Sequence, residues 1–174
     1  MLKSVQIKSS DADNEELKKI FESAFPKGDQ YPPYSDIIRV VKENEENLDY
    51  TAYYDGEILV GLTMVFILKR FNFGIYFAVR EDLRGKGYGQ NILTSLLEKY
   101  SKGNPFVIGA ESHLEENAPN LEMRKRRHAF YIRKGLKDTG ISFNYNGVLF
   151  AVMTNKDEPI SQQDCDEIYA SLPD

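Results

Sequence analysis

Cysteine is nearly absent from the sequence, and an excess of basic residues is absent altogether. The one cysteine, Cys165, cannot form a disulfide within the chain or supply a cysteine-rich metal site, so we predict no metal. The 22 lysines and arginines are outnumbered by 27 acidic residues, which gives a net charge of −5. This balance argues against general nucleic-acid binding.

Long apolar segments are also missing. No stretch approaches the roughly 20 apolar residues of a membrane-spanning helix, and residues 1–6 lack the apolar region of a secretion signal. A length of 174 residues with 41% hydrophobic content suits one domain with a buried core. We therefore expect a soluble cytoplasmic protein, monomeric or homodimeric, that has no membrane partner.

The spacing of apolar residues predicts an α/β (α+β) domain over residues 1–155. Helices are predicted after a cap at Ser10 or Asp11 and at residues 35–43, 88–100, 121–134 and 161–172. Strands are predicted at residues 5–8, 48–54, 57–68, 73–79, 105–110, 139–145 and 148–154.

Two turn pairs, Asp55-Gly56 and Asn146-Gly147, are typical of hairpins and predict a mostly antiparallel central sheet flanked by helices. The strand at residues 105–110 returns through a helix, so it should lie parallel to its predecessor. Residues 156–174 are predicted to be a polar linker and a helix capped by Ser161. We expect this helix to pack on the same domain or on a partner.

The most informative segment connects a predicted strand to a predicted helix. Its glycines let backbone amides turn toward one point and let a ligand approach without meeting a Cβ atom. The helix start adds unpaired N–H groups and the positive end of its dipole, and two basic side chains add charge. The segment is therefore suited to a pyrophosphate. Its residues are Arg84, Gly85, Lys86, Gly87, Tyr88, Gly89 and Gln90.

Other interpretations of this segment are less consistent with its residues. A Walker loop requires Ser or Thr after Gly-Lys, but Gly87 follows Lys86. A dinucleotide fold would use Glu111 on the ribose, but the glycine spacing is one residue short and repeated βαβ units are missing. A tight turn without a ligand is the remaining alternative.

Two segments resemble the GNAT superfamily of acetyl-CoA-dependent N-acetyltransferases. Residues 84–89 match its Arg/Gln-x-x-Gly-x-Gly/Ala signature, and residues 129–136 resemble its Phe-Tyr-x-x-x-Gly-Phe segment. Arg124 departs from a cofactor-contacting Asn that many members have, and Leu136 replaces the usual Phe. The resemblance covers residues 3–155 in element order and implies a GNAT-like sheet with a β-bulge that opens a gap at the cofactor site.

The resemblance implies that acetyl-CoA is the cofactor and that a primary amine attacks it directly in a ternary complex. The Val79 N–H would point at the acetyl carbonyl, and Tyr131 would donate a proton to the departing thiolate. Glu111, or His113 in its place, could accept the proton of the amine, although an unperturbed Glu would need desolvation or a water relay. The implied cofactor-binding residues are Phe77, Ala78, Val79, Arg84, Gly85, Lys86, Gly87, Tyr88, Gly89 and Gln90.

The acceptor is predicted to be a small-molecule amine. Tyr31 and Tyr34 lie in the loop expected to cover it and are predicted to form one wall of its pocket. The basic residues 124–127 are expected to be mostly solvated, with some near CoA phosphates. Two alternatives remain open: a non-catalytic acyl-CoA-binding or sensing module, and acetylation of a protein N-terminus or lysine.

Overall fold

The computed structural model describes residues 1–26, 31–157 and 160–171. The strands of these residues form a single seven-stranded sheet: β1 (Lys3–Gln6), β2 (Leu48–Asp55), β3 (Ile58–Ile67), β4 (Asn72–Val79), β5 (Phe106–Glu111), β6 (Lys137–Tyr145) and β7 (Val148–Thr154). The α-helices are α1 (Glu15–Ala24), α2 (Tyr34–Glu43), α3 (Tyr88–Lys99), α4 (Leu121–Arg133) and α5 (Gln162–Ser171).

The strand order is β1-β2-β3-β4-β5-β7-β6, and every described pairing is antiparallel except that of β4 with β5. The predicted mixed, mostly antiparallel sheet is therefore confirmed. So is the parallel return through α3. The predicted ranges differ from the observed elements by at most two residues at each described boundary.

Two local predictions were wrong in detail. The first helix begins at Glu15, and the side chain of Asn14 caps it by accepting hydrogen bonds from the amides of Glu16 and Leu17 at 3.0 and 3.1 Å. The predicted caps lie in a separate 3₁₀ turn, Ser9–Asp11, which ends before the helix starts.

The first hairpin turn lies one residue later than predicted, because Asp55 still pairs with Ile58 and leaves Gly56 and Glu57 as the turn. The second turn is at the predicted pair. Asn146 and Gly147 have φ angles of 50° and 80°, the left-handed values that a type I′ hairpin turn requires.

Helices cover both faces of the sheet. Because side chains alternate along a strand, Leu62 and Met64 of β3 face the cluster built with α1 and α2, whereas Val65 faces the cluster built with α3 and α4. Cys165 and Ile168 of α5 are fully buried in the first cluster. None of the helices in the described residues is long and apolar enough to cross a membrane.

The helix α5 follows its predicted cap and packs against β6. The Ser161 hydroxyl accepts a hydrogen bond from the Asp164 amide at 3.2 Å, and the Asp164 carboxylate accepts one from the Ser161 amide at 2.8 Å. The ends of the predicted linker and helix, and Gly28 of the predicted loop, lie outside the described residues.

The parallel strands β4 and β5 separate partway along their length. Their pairing covers three residue pairs and ends at Gly74 and Ile108. On the other edge of β4, Ile75 lies between two consecutive pairs with β3, which is a β-bulge. Since β4 continues to Val79 and β5 to Glu111, a gap opens between them, as predicted.

Candidate functional site

A cleft of about 430 Å³ occupies the gap between β4 and β5. The two separated strands form its sides, the end of α1 covers one mouth, and α4 closes the back. Its lining residues are Ser23, Ala24, Phe25, Pro26, Tyr31, Ile75, Phe77, Ala78, Val79, Arg84, Ile108, Gly109, Ala110, Glu111, Met123, Arg127, Tyr131 and Phe150.

The backbone of β4 presents hydrogen-bonding groups to this cleft that β5 does not pair with. The amide of Arg80 donates to the carbonyl of Val60 on β3 at 2.8 Å, so Arg80 faces β3. Main-chain groups alternate in direction along a strand, which turns those of Phe77 and Val79 toward the gap. A linear ligand with amide groups can pair with such an edge as an added strand would.

The glycine loop follows β4 and has the backbone shape of an anion site. Gly85 and Gly87 have φ angles of 76° and 88°, and a Cβ atom at either would meet no other atom of the described residues within 4 Å. Gly87 is the N-cap of α3, and no side chain caps this helix. Among the described residues, no acceptor is found for the amides of residues 85–90. These amides are therefore available to a phosphate.

The side chains of the loop have different surroundings. Lys86 and Gln90 are exposed, whereas the Tyr88 hydroxyl donates to Asp55 at 2.7 Å, so Tyr88 offers a ligand only its main chain. Arg84 donates to the Val79 carbonyl at 3.2 Å and to the Ser23 hydroxyl at 3.1 Å. Arg84 thus ties the loop to β4 and to α1.

Another depression, of about 470 Å³, lies between α1 and residues 80–82. Its charged groups are partly paired with one another, since Arg80 and Asp82 form an ion pair at 2.7 Å. Its lining shares Ser23 with the cleft but includes no described residue of β4 or β5. The cleft is therefore the better candidate for a site that joins an anion to a reacting group.

Tyr131 projects from α4 into the cleft with only 5% of its surface exposed. Its hydroxyl has no hydrogen-bond partner among the residues that the structure describes. Burial raises the pKa of Tyr131 to about 12, and the positive charge of Arg127 partly opposes that rise. The phenol therefore keeps its proton at neutral pH, and burial makes it a weaker acid than a solvated tyrosine.

Glu111, at the end of β5, is held by a buried polar network. Its Oε1 accepts a hydrogen bond from the Tyr31 hydroxyl at 2.7 Å, and its Oε2 accepts one from the Asn120 amide at 2.9 Å. Arg124 forms an ion pair with Oε2 at 3.0 Å and a second one with Glu115 at 2.5 Å. These contacts fix the carboxylate at the edge of the cleft.

The net effect of the network is to lower the pKa of Glu111. Burial alone would raise it, but the hydrogen bonds from Asn120 and Tyr31 and the charges of Arg124 and Arg127 outweigh burial. A general base for an amine needs the opposite shift. The predicted role of Glu111 as a base therefore loses its physical support.

A glutamate with a lowered pKa makes stability depend on pH. The contribution of Glu111 to the free energy of unfolding is complete above its pKa in the unfolded chain, near 4.5. It is lost as the pH falls through the lower pKa that Glu111 has in the folded protein. We expect Glu111→Gln to lower the free energy of unfolding most at neutral pH and progressively less below about pH 4.5. Urea unfolding at several pH values measures this difference. The matched change Glu57→Gln, at an exposed turn, should have little effect, and a pH-independent loss in Glu111→Gln would contradict the assignment.

The two predicted pocket tyrosines lie in different places. Tyr31 lines the cleft and binds Glu111, as described above. Tyr34 has 2% exposure and belongs to the core, where its hydroxyl donates to the carbonyl of Ala12 at 2.8 Å and pairs with the Tyr50 hydroxyl at 2.9 Å. The structure therefore corrects the prediction that Tyr34 forms part of the pocket wall. At the start of α2 its ring turns toward the sheet.

Two residues of the basic segment 124–127 belong to the site. Arg124 has 4% exposure and is part of the Glu111 network, so it is not solvated, whereas Arg127 is partly exposed and lines the cleft. The sequence offers one signal for this pair, because residues four and seven positions before Tyr131 share its helix face. No pattern in the sequence indicated that Asn120 would contact Glu111.

His113, the alternative base, and Cys165 both lie outside the cleft lining. His113 stacks on His128 with ring centroids 3.7 Å apart, and His128 contacts Asp138 at 2.9 Å. Cys165 is buried in α5, and burial raises the pKa of its thiol to about 11. The thiol is therefore a packing group and not a nucleophile.

A parallel strand pair that separates at a β-bulge, followed by a glycine loop at a helix start, defines the acetyltransferase class of folds. The chain belongs to the acetyltransferase (GNAT) family, whose sequence profile matches residues 14–131. Acetyltransferases of this family use acetyl-CoA, which confirms the predicted cofactor. The comparison with curated protein sequences finds no match.

Solved structures of acetyltransferases share the fold at low sequence identity. A GNAT-family acetyltransferase from Bacteroides thetaiotaomicron is 20% identical with a TM-score of 0.76, covering 97% of this chain and 94% of that one. The ribosomal-protein-S18-alanine N-acetyltransferase from Escherichia coli is 12% identical with a TM-score of 0.61, covering 93% and 97%. An aminoglycoside 6′-N-acetyltransferase complexed with coenzyme A is 18% identical with a TM-score of 0.63, covering 91% and 99%.

Proposed function

We propose that the protein transfers the acetyl group of acetyl-CoA to the primary amine of a small molecule by direct attack in a ternary complex. The observation that carries this proposal is the cleft between β4 and β5. Its lining includes Arg84, which immediately precedes the unpaired amides of residues 85–90, and it includes the Tyr131 side chain. We also propose that residues 1–155 form the catalytic domain and that α5 packs on that domain.

The residues of the loop and of β4 fit the cofactor. The amides of residues 85–90 would bind its pyrophosphate, with Lys86 adding positive charge. The open edge at Phe77 and Val79 would pair with the amides of its pantetheine arm. When bound, acetyl-CoA supplies an acetyl group activated as a thioester. The Val79 N–H faces the gap and would donate a hydrogen bond to the oxygen on which negative charge develops.

Tyr131 is the proposed proton donor for the thiol product. Burial keeps the phenol neutral, and nearby Arg127 favours the negative charge that the phenol acquires when its proton leaves. Tyr131 also lies near the strand proposed to bind the pantetheine arm, since its ring centroid is 6.5 Å from that of Phe77. The charge of Arg127 would therefore assist Tyr131.

Glu111 is proposed to hold the cationic acceptor instead of deprotonating it. Each carboxylate oxygen has two lone-pair positions, and Oε1 uses one of them for Tyr31. An ammonium group can therefore donate to Oε1 at the edge of the cleft. The lowered pKa of Glu111 keeps it ionised for this contact, and water carries the amine proton away.

A thiol-release assay with a panel of primary amines tests the proposal. We expect release of free CoA to depend on the amine and to produce the N-acetylated amine in equal amount. Binding of acetyl-CoA without release by any small amine or peptide would instead favour a non-catalytic sensing module. Release with peptides alone would favour a protein acceptor.

A further inference from the structure

The cleft continues past the separated strands into a small second pocket. This pocket has a volume of about 30 Å³ and shares the residues Tyr31, Ile75, Gly109 and Phe150 with the cleft. Tyr31 forms the junction, because its hydroxyl binds Glu111 while its ring lines the pocket. A molecule that places a cationic group at Glu111 can therefore extend into the pocket.

The second pocket is lined mostly by aromatic rings. Phe143 and Phe150 stack with ring centroids 5.5 Å apart, and Tyr145 meets Phe150 edge-on at 6.3 Å. Charged side chains are absent from its lining in the part of the chain that the structure describes. The residues that line only this pocket are Phe73, Tyr76, Phe143 and Tyr145.

We propose that the acceptor is a primary amine with a compact apolar substituent, which fills this pocket while its ammonium group binds Glu111. This inference rests on the proposed function and adds the substrate class. By the same measure of volume, one water molecule needs about 10–15 Å³, so the pocket has room for roughly two or three carbon atoms. A short alkyl chain fits this space, whereas a six-membered ring exceeds it.

The pocket favours an alkyl substituent because most of its lining is ring carbon. The hydroxyls of the lining residues Tyr31, Tyr76 and Tyr145 are its polar groups. Burial of an alkyl group against the rings removes apolar surface from water, which stabilises the bound amine. The pocket therefore favours a compact alkyl group through buried apolar area.

Two amines of different chain length test the use of this pocket. n-Butylamine carries two more methylene groups than ethylamine. We expect kcat/KM for n-butylamine to be about 10- to 100-fold higher, since one methylene group in an apolar pocket is worth roughly 10- to 200-fold. Equal values, or a preference for ethylamine, would overturn the inference and leave the proposed function intact. Transfer to no amine, despite acetyl-CoA binding, would overturn both.

A variant that enlarges the pocket tests its location. We expect Phe150→Ala to raise the ratio of kcat/KM for benzylamine to that for n-butylamine at least about tenfold, because removal of the ring makes room for a phenyl group. Phe66→Ala is the matched control, since Phe66 is buried in the same core cluster but lines neither cavity. Acetyl-CoA affinity, measured by calorimetry, verifies that each variant is folded. An unchanged ratio in folded Phe150→Ala would overturn the proposed location.

Discussion

Replacing Tyr131 with phenylalanine is expected to lower kcat by about 10²- to 10⁴-fold, the usual contribution of a positioned general acid. The ring fills the same space in both proteins, so the cleft keeps its shape. The variant lacks only the proton that a phenol of pKa about 12 holds at neutral pH. Steady-state kinetics, with calorimetry for acetyl-CoA, should show a large loss of kcat and nearly unchanged cofactor affinity.

Tyr53→Phe is a suitable control for this prediction. Tyr53 is also a buried tyrosine, but its hydroxyl pairs with Thr63 at 3.2 Å, away from the cleft. This change should lower stability slightly and leave kcat intact. If Tyr131→Phe retained the kcat of the unaltered protein, water or another donor would be protonating the thiolate, and the assignment of Tyr131 would be wrong.

Replacing Gly87 with alanine is expected to weaken acetyl-CoA binding by about 10- to 100-fold. The φ of 88° costs an L-residue roughly 1–2 kcal/mol, and the new methyl group would occupy open space beside the amides. Loss of one hydrogen bond to a charged group is worth about 1.5–3 kcal/mol. Calorimetric titration with acetyl-CoA measures the change in Kd.

Gly103→Ala separates the loss of binding from backbone strain. Gly103 has a φ of 81°, and a Cβ atom there would also meet no described atom within 4 Å, but it lies in the turn before β5, away from the cofactor loop. Both variants should lose similar stability in thermal unfolding, and only Gly87→Ala should lose acetyl-CoA affinity. Equal affinities in the two variants would rule out a pyrophosphate site at this loop.

Much of the fold could be predicted because its signals are local. The Asn146-Gly147 pair adopts left-handed φ values that few other residues tolerate, and the helix-spaced apolar residues after Tyr88 form α3. The predictions that failed are also local. Several polar residues before the first helix can each act as a cap, and Asn14 is the one that lies where the helix begins.

The predictions about the candidate site also depend on whether the signal is local in the sequence. The glycine loop is contiguous in sequence, so its chemistry could be inferred from spacing alone. The network around Glu111 joins Tyr31 to a residue 80 positions away, and no local pattern encodes that contact. The pKa of Glu111 is lowered by this network, whereas a general base would need a raised pKa. Of the four adjacent basic residues 124–127, Arg124 is the one that forms the ion pair with Glu111.

The order of elements, the hairpins, the glycine loop and the family were determined by the sequence itself, because each depends on residues that are neighbours along the chain. The tertiary structure alone decided that Tyr34 belongs to the core, that Glu111 is held as an ion and that an aromatic pocket extends the cleft. These outcomes depend on burial and on charges brought together from distant segments, and both quantities exist only once the sheet has formed.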